Sequence, residues 1–329
     1  MSESASSGTS AIQEVAANLY KIKLPMPFEP FHINVYLLKG TNRLTLVDTG
    51  LPIAWEDLQQ GFKALDIYFG ELTDIFLTHY HIDHIGALSS LREAAPGAKI
   101  FFHQLDHEFM HYRTSKPQES NEAMYKWLLQ NGAADLGGDP AGFPMQMIDL
   151  KPGDTLVGGG EKVSLRNETD GWEVVWTPGH TNGHFVLYNR EQRLLLSGDH
   201  LLTTISSNIG IYPGSRPDPL GDFISSLDKL AALEVDEILP AHGHPFGNHR
   251  HRIENLKLHH RHRMNKILAG LEHSPLTAKG VAHTIWGDRL KGFNRYLGLM
   301  EVLSHLERLK QEGQVLAEER EGIVYYRQN

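Results

Sequence analysis

The 329-residue chain has no cysteine. That excludes disulfides, a thiol nucleophile and thiolate metal ligands, without fixing the compartment. No apolar run approaches the roughly 18 residues of a membrane span. The first ten residues are small, polar and slightly acidic, with neither the basic nor the apolar segment of a secretion signal. A frayed tail over residues 1–20 and a cytoplasmic location are therefore expected. Positive charge is also short: 31 Lys+Arg face 40 Asp+Glu, a net charge of -9. This argues against a surface built mainly for phosphate. The deficit is uneven. Residues 249–329 carry 14 Lys+Arg against 9 Asp+Glu, whereas the rest carries 17 against 31. The shift suggests a boundary near residue 250, with one domain over 21–250 and another over 251–329.

What the chain has in quantity is histidine, 20 in all. Four candidate ligands crowd into His79-Tyr80-His81-Ile82-Asp83-His84, an H-x-H-x-D-H run. The apolar Ile75-Phe76-Leu77 before it reads as a buried strand, and 86–94 after it as a helix. A loop at the carboxyl end of a strand is where open α/β sheets place ligands. Imidazole and carboxylate together suit zinc, iron or manganese.

Other short apolar runs end the same way. Asp48, His180, Asp199 and His242 each follow a run that reads as a strand. If these strands share sheets with their carboxyl ends aligned, all of these residues meet His79 at one edge. Glycine in Pro178-Gly179 and Ser197-Gly198 would let backbone approach closely there. Elsewhere 33–38 and 44–47 read as a hairpin, 106–131 as helix, 154–165 as a hairpin across Gly158-Gly159-Gly160, and 222–233 as an amphipathic helix. Beyond residue 252 a long helix, two further helical stretches and a hairpin at 315–327 suggest a small winged-helix unit. The stripe Leu297, Val302, Leu303, Leu306 and Leu309 predicts that this unit packs on the main domain or on a second copy of the chain, a homodimer. His259-His260, with Arg252, Arg261 and Arg263 nearby, reads as a solvated helix face, or more pointedly as a basic wall over the mouth of the site.

Five stretches together resemble the metallo-β-lactamase fold superfamily: Asp48-Thr49-Gly50, the H-x-H-x-D-H run, Thr177-Pro178-Gly179-His180-Thr181, Ser197-Gly198-Asp199 and Leu239-Pro240-Ala241-His242-Gly243. The resemblance implies an α+β fold, a four-layer αβ/βα sandwich with metals at one edge. Within the superfamily the chain is similar to glyoxalase II-like hydrolases. The tail is similar to the winged-helix extension of the β-lactamase-like protein 2 branch, which includes a single-strand endoribonuclease. Carried over, His79, His81 and His180 would hold one divalent metal ion and Asp83, His84 and His242 a second, with Asp199 bridging. Zinc is the first expectation, iron or manganese the others. Asp48 would orient a ligand, and Asp83 would also handle a proton as the leaving group departs. By their place in the sequence rather than by the resemblance, His184 and His200 would support the neighbouring ligands, and Tyr212, after the loop that follows Asp199, would reach substrate or serve as a core or rim aromatic.

The function expected is a dinuclear hydrolase whose metal-bridged hydroxide attacks the carbonyl of a small thioester, ester or lactone. The competing readings are a single-strand nucleic-acid endonuclease of the same fold, an iron-dependent sulfur dioxygenase and a DNA-binding regulator with the sandwich as sensor. A set of seven ligands speaks against a one-metal dioxygenase. Charge speaks against nucleic acid, because 78–86, 178–184 and 198–208 contain no Lys or Arg. Only Arg216 and the Arg252–Arg263 helix offer cations near them.

Overall fold

The short apolar runs become strands buried on both faces. The computed structural model describes residues 11–28, 31–136, 148–167 and 171–329. A seven-stranded mixed sheet runs in sequence order: β1 (Ala11–Ala16), β2 (Leu19–Pro25), β3 (His32–Lys39), β4 (Leu44–Val47), β5 (Asp74–Phe76), β6 (Lys99–His103) and β7 (Thr155–Val157). Its first four strands are antiparallel, and β4 to β7 are parallel. The second sheet is also mixed, five-stranded, in the order β12-β11-β10-β9-β8: β8 (Lys162–Val163), β9 (Trp172–Trp176), β10 (Phe185–Asn189), β11 (Leu194–Gly198) and β12 (Glu237–Pro240). Only β11 and β12 run parallel there.

Alternation along the strands builds the layers. On β3, Tyr36 and Leu38 face the second sheet and meet Trp172, Leu187, Leu196 and Leu239. Ile33, Val35 and Leu37 face outward under α1 (Trp55–Ala64) and α3 (Leu88–Ala94), against Leu58, Phe62 and Leu91. On β10, Phe185 and Leu187 point between the sheets, whereas Val186 and Tyr188 point to α6 (Pro219–Ala231) and α7 (His249–Gly270). The result is helix, sheet, sheet, helix. With two apolar faces to bury, these strands read as continuous apolar runs in sequence.

Three expectations need correction. Residues 11–20, expected to fray, form β1, a turn and the start of β2 at the edge of the first sheet. The helix expected over 106–131 is two, α4 (Gln104–Ser115) and α5 (Pro117–Gln130). Pro117 lacks a donor and forces Lys116 out of the helical region, to φ -130° and ψ 57°. The hairpin expected over 154–165 is a crossover between sheets. β7 joins β6 in parallel, and β8 joins β9. The Gly158–Gly160 turn carries the chain across, with its Gly158 and Gly159 N–H groups held by the Glu161 carboxylate at 2.7 and 2.8 Å. A strand–glycine–strand pattern does not say whether the two strands share a ladder.

Beyond the sandwich come α7, α8 (Ala278–Trp286), α9 (Asn294–Gln311) and a hairpin of β13 (Val315–Arg320) and β14 (Ile323–Gln328). This unit is packed onto the main domain. Leu299, Val302, Leu303, Leu306 and Leu309 of α9 share a core with Leu128 of α5 and with Ala133 and Leu136. Ser304 donates to Ile209 O at 2.6 Å, and Asn208 Nδ2 donates to Leu297 O at 3.1 Å. His260 turns inward rather than lying on a solvated face. Its Nδ1 donates to His305 Nε2 at 3.1 Å, and His305 Nδ1 donates to Glu301 O at 2.6 Å. Among the described residues no helix is long and apolar enough to cross a membrane.

Candidate metal centre

Each strand delivers its chemistry at its carboxyl end. β4 and β5 lie parallel with Val47 opposite Phe76, so Asp48 and the 78–84 loop leave the first sheet side by side. β11 and β12 do the same in the second sheet for Asp199 and His242. β9 runs the same way as β11 and releases His180 at that edge. Two glycines permit the approach. Gly179 has φ +134°, and a Cβ there would meet Phe223 at 2.5 Å. Gly198 has φ +48°, and a Cβ there would lie 2.8 Å from His184 Nε2.

The structure gathers all seven expected ligands. His79, His81 and His180 form one group, His79, His84 and Asp199 a second, and Asp83, His84 and His242 a third. Asp199 divides its oxygens: Oδ2 lies 3.4 Å from His180 Nε2, and Oδ1 lies 3.4 Å from both His84 Nε2 and His242 Nε2. His242 Nε2 is 3.3 Å and His84 Nε2 is 3.7 Å from Asp83 Oδ2. Ligand atoms about 2.0–2.2 Å from a tetrahedral ion stand roughly 3.3–3.5 Å apart. His84 Nε2, His180 Nε2 and Asp199 Oδ1 are buried with no hydrogen-bond partner among the described residues. Buried polar atoms are seldom left so, and these three aim inward at the spacing of a coordination shell. The residues therefore fit divalent metal.

The far nitrogen of each buried ring is fixed from behind. His84 Nδ1 donates to Asp48 Oδ2 at 2.8 Å. His79 Nδ1 lies 3.1 Å from Thr78 Oγ1, which itself bonds Asp48. His180 Nδ1 donates to Asn208 O at 2.9 Å, and His242 Nδ1 to His32 O at 2.8 Å. All four therefore present Nε2 to the centre, whereas His81 turns Nδ1 inward, 2.9 Å from His79 Nε2. Asp48 does this from a left-handed backbone, φ 61°, which aspartate tolerates better than most residues.

Charge within the cluster is opposed. Burial, then repulsion from neighbouring imidazoles, holds His79 well below its usual range, and His81 falls to about 3. Burial also disfavours the imidazolium of His84, but the carboxylates of Asp48, Asp83 and Asp199 outweigh it and raise that pKa. These carboxylates demand a positive charge, and a metal ion would compete with the proton for the site. Asp48→Asn exchanges an acceptor for a donor facing His84 Nδ1. Metal affinity should fall about 10–100-fold, read by chelator competition, with little change in melting.

The supporting residues differ in part from expectation. His184 accepts from the Asp199 N–H at 3.1 Å and donates to Thr177 Oγ1 at 2.8 Å, so it holds the backbone of the shared carboxylate. Neither nitrogen of His200 has a hydrogen-bond partner among the described residues, and its ring packs on Phe223 at 4.5 Å. Tyr212 Oη pairs with Tyr80 Oη at 2.5 Å. Arg216 is engaged with Asp222 and stacks on Trp176. One residue missed from sequence is Asp106 of α4. It is fully buried and accepts from Thr181 Oγ1 at 2.7 Å and Gly183 N–H at 2.6 Å, and it also bonds the Tyr80 backbone. One carboxyl thus ties the 78–84 loop to the 178–184 loop. Burial lifts its pKa to about 7, the hydrogen bonds opposing. A lone aspartate on a polar helix carries no signal of this in sequence.

A family model described as the metallo-beta-lactamase superfamily matches residues 28–242. The solved structure of a metallo-beta-lactamase family protein from Thermus thermophilus is 30% identical, covers 95% of this chain and 99% of its own, and superposes with a TM-score of 0.82. A Bacillus subtilis (strain 168) protein named "Probable metallo-hydrolase YqjP" is 25% identical over 93% of this chain and 96% of its own length. A "Beta-lactamase-like protein 2 homolog" of Caenorhabditis elegans is 24% identical over 80% of this chain and 74% of its own. With the two mixed sheets, their aligned carboxyl ends and the His/Asp cluster in place, the chain belongs to the metallo-beta-lactamase superfamily.

Proposed function

We propose that the protein is a metal-dependent hydrolase of a small acyl substrate, a thioester, ester or lactone, using two divalent ions, zinc first among the candidates. The observation that carries the reading is the set of converging ligand atoms, without hydrogen-bond partners among the described residues, around the Asp199 carboxylate. His79, His81 and His180 would hold one ion, Asp83, His84 and His242 the other, and Asp199 both. Two such ions supply Lewis acidity toward a substrate carbonyl and a water nucleophile at neutral pH. The chain's own part is orientation. Asp48, Thr78, Asn208 and His32 fix the imidazoles, and His184 fixes Asp199. Asp83 would serve as ligand and would also handle a proton as the leaving group departs. Its Oδ2 lies 3.3 Å from His242 Nε2 and 3.7 Å from His84 Nε2, the two imidazoles with which it would share an ion.

The acyl reading is supported by the absence of Lys and Arg from the three loops at the cluster and by the occupation of Arg216 elsewhere. The C-terminal helices and hairpin, read as a winged-helix unit, supply the nucleic-acid arm of the test. Metal-loaded protein should turn over members of an acyl thioester or lactone panel and cut single-stranded RNA weakly. Efficient RNA cleavage that vanishes with His81→Ala, without turnover of either panel, would overturn the proposal.

A further inference from the structure

A cleft of about 360 Å³ lies between the 204–208 loop, α7 and α9. That is the scale of a small-molecule pocket. Its wall is shared with the metal centre: Asn208 lines the cleft and gives its carbonyl to His180, and Ser207 lines the cleft and bonds the Asp199 carbonyl. Two guanidinium groups face it from α7. Arg252 is held by the carbonyls of Leu202 and Ile205, at 2.8 and 2.7 Å, and among the described residues forms no ion pair with a carboxylate. Burial lowers its pKa. Arg263 lies 4.5 Å over the Trp286 ring and 3.6 Å from Glu301 Oε1, and its Nη1 is buried with no partner among the described residues. Among those residues Glu301 is the only carboxyl lining the cleft. Burial raises its pKa against the pull of Arg263. Two fixed cations therefore face at most one anion in a partly desolvated wall. Buried charge without a partner is costly, so the site favours a singly charged planar oxyanion, which a guanidinium fork matches. The geometry points to a binding site for the carboxylate end of a small acyl substrate, a statement that rests on the hydrolase reading for the word substrate.

The test is calorimetric titration of the full chain, as purified and after chelation so that carboxylate cannot bind through metal. The probes are glutarate, its neutral diamide and inorganic phosphate. Glutarate should bind both preparations, and the diamide at least about tenfold more weakly. Arg263→Gln should weaken glutarate at least about tenfold. Because Arg263 also packs on Trp286, Glu301→Gln provides the independent arm: removing the one negative charge should tighten glutarate, an effect that structural damage does not produce. Equal binding of acid and diamide, or indifference to both substitutions, overturns the site. Phosphate binding tighter than glutarate overturns the carboxylate assignment. Turnover of acyl thioesters with a KM indifferent to a terminal carboxylate, and no glutarate binding, sinks the cleft and leaves the hydrolase. Glutarate binding that follows the two substitutions, without turnover of any acyl substrate, sinks the hydrolase and leaves the cleft.

Discussion

Asp199→Ala should leave a folded protein that has lost both metal positions and at least about a thousandfold of its hydrolytic rate, some 4 kcal/mol of barrier. The expectation follows from how the carboxylate is divided. Its Oδ2 stands with His180 and its Oδ1 with His84 and His242, so this one side chain reaches both proposed positions. The fold should survive, because Asp199 is held by its backbone, through His184 and Ser207, and those contacts remain. His81→Ala is the informative contrast. His81 belongs to the His79–His180 group alone, so elemental analysis should fall from about two ions per chain to about one, with activity lost as well. Full metal content in Asp199→Ala would refute the role of Asp199 in holding both ions, and full activity with a single ion in His81→Ala would refute a dinuclear centre. The fall in metal affinity should also exceed the roughly 10–100-fold expected of Asp48→Asn, which acts one layer further out.

The clustering of the candidate ligands was legible because two signals coincide in it. Four candidates crowd into 79–84, and the others sit at the ends of apolar runs whose strands point to one edge. What supports them was less legible, for physical reasons. His180 and His242 are oriented by the carbonyls of Asn208 and His32, a group that every residue possesses. Asp106 acts through loops that are distant in sequence until the sheets meet. Thr78, a short hydroxyl at a strand end before the first ligand, could have been singled out, since it bridges His79 to Asp48. The sheet boundary at Gly158–Gly160 was misread because local pattern reports strands, not partners. Charge pattern misled on α7: among Arg261, Arg263 and His259, the buried His260 looks like one more solvated group.

That buried pair has a large consequence for stability. Burial, then the neighbouring imidazole, pushes His260 down to about 2, and burial pushes His305 to about 3. Both are neutral in the folded protein, tied to one another and to the Glu301 carbonyl. The unfolded chain takes up their protons near pH 6.5. Below that pH the unfolded state binds more protons than the folded one, so stability must fall as the solution is acidified, and it stops falling only below the folded values. Each histidine contributes a slope approaching 1.4 kcal/mol per pH unit, or about 3 for the two together. From pH 6.5 to 5 the loss is a large share of the roughly 5–15 kcal/mol that holds a domain together. Metal-centre histidines also titrate, so the comparison needs an internal reference. His260→Phe with His305→Leu removes both partners of the bond at once, which is far milder than leaving one unsatisfied. Urea unfolding of the two proteins at pH 7, 6 and 5 should show the wild-type midpoint dropping faster, by the slope of two protons. Parallel curves would mean that the pair gains its protons without unfolding α7 from α9, and the predicted acid sensitivity would be wrong.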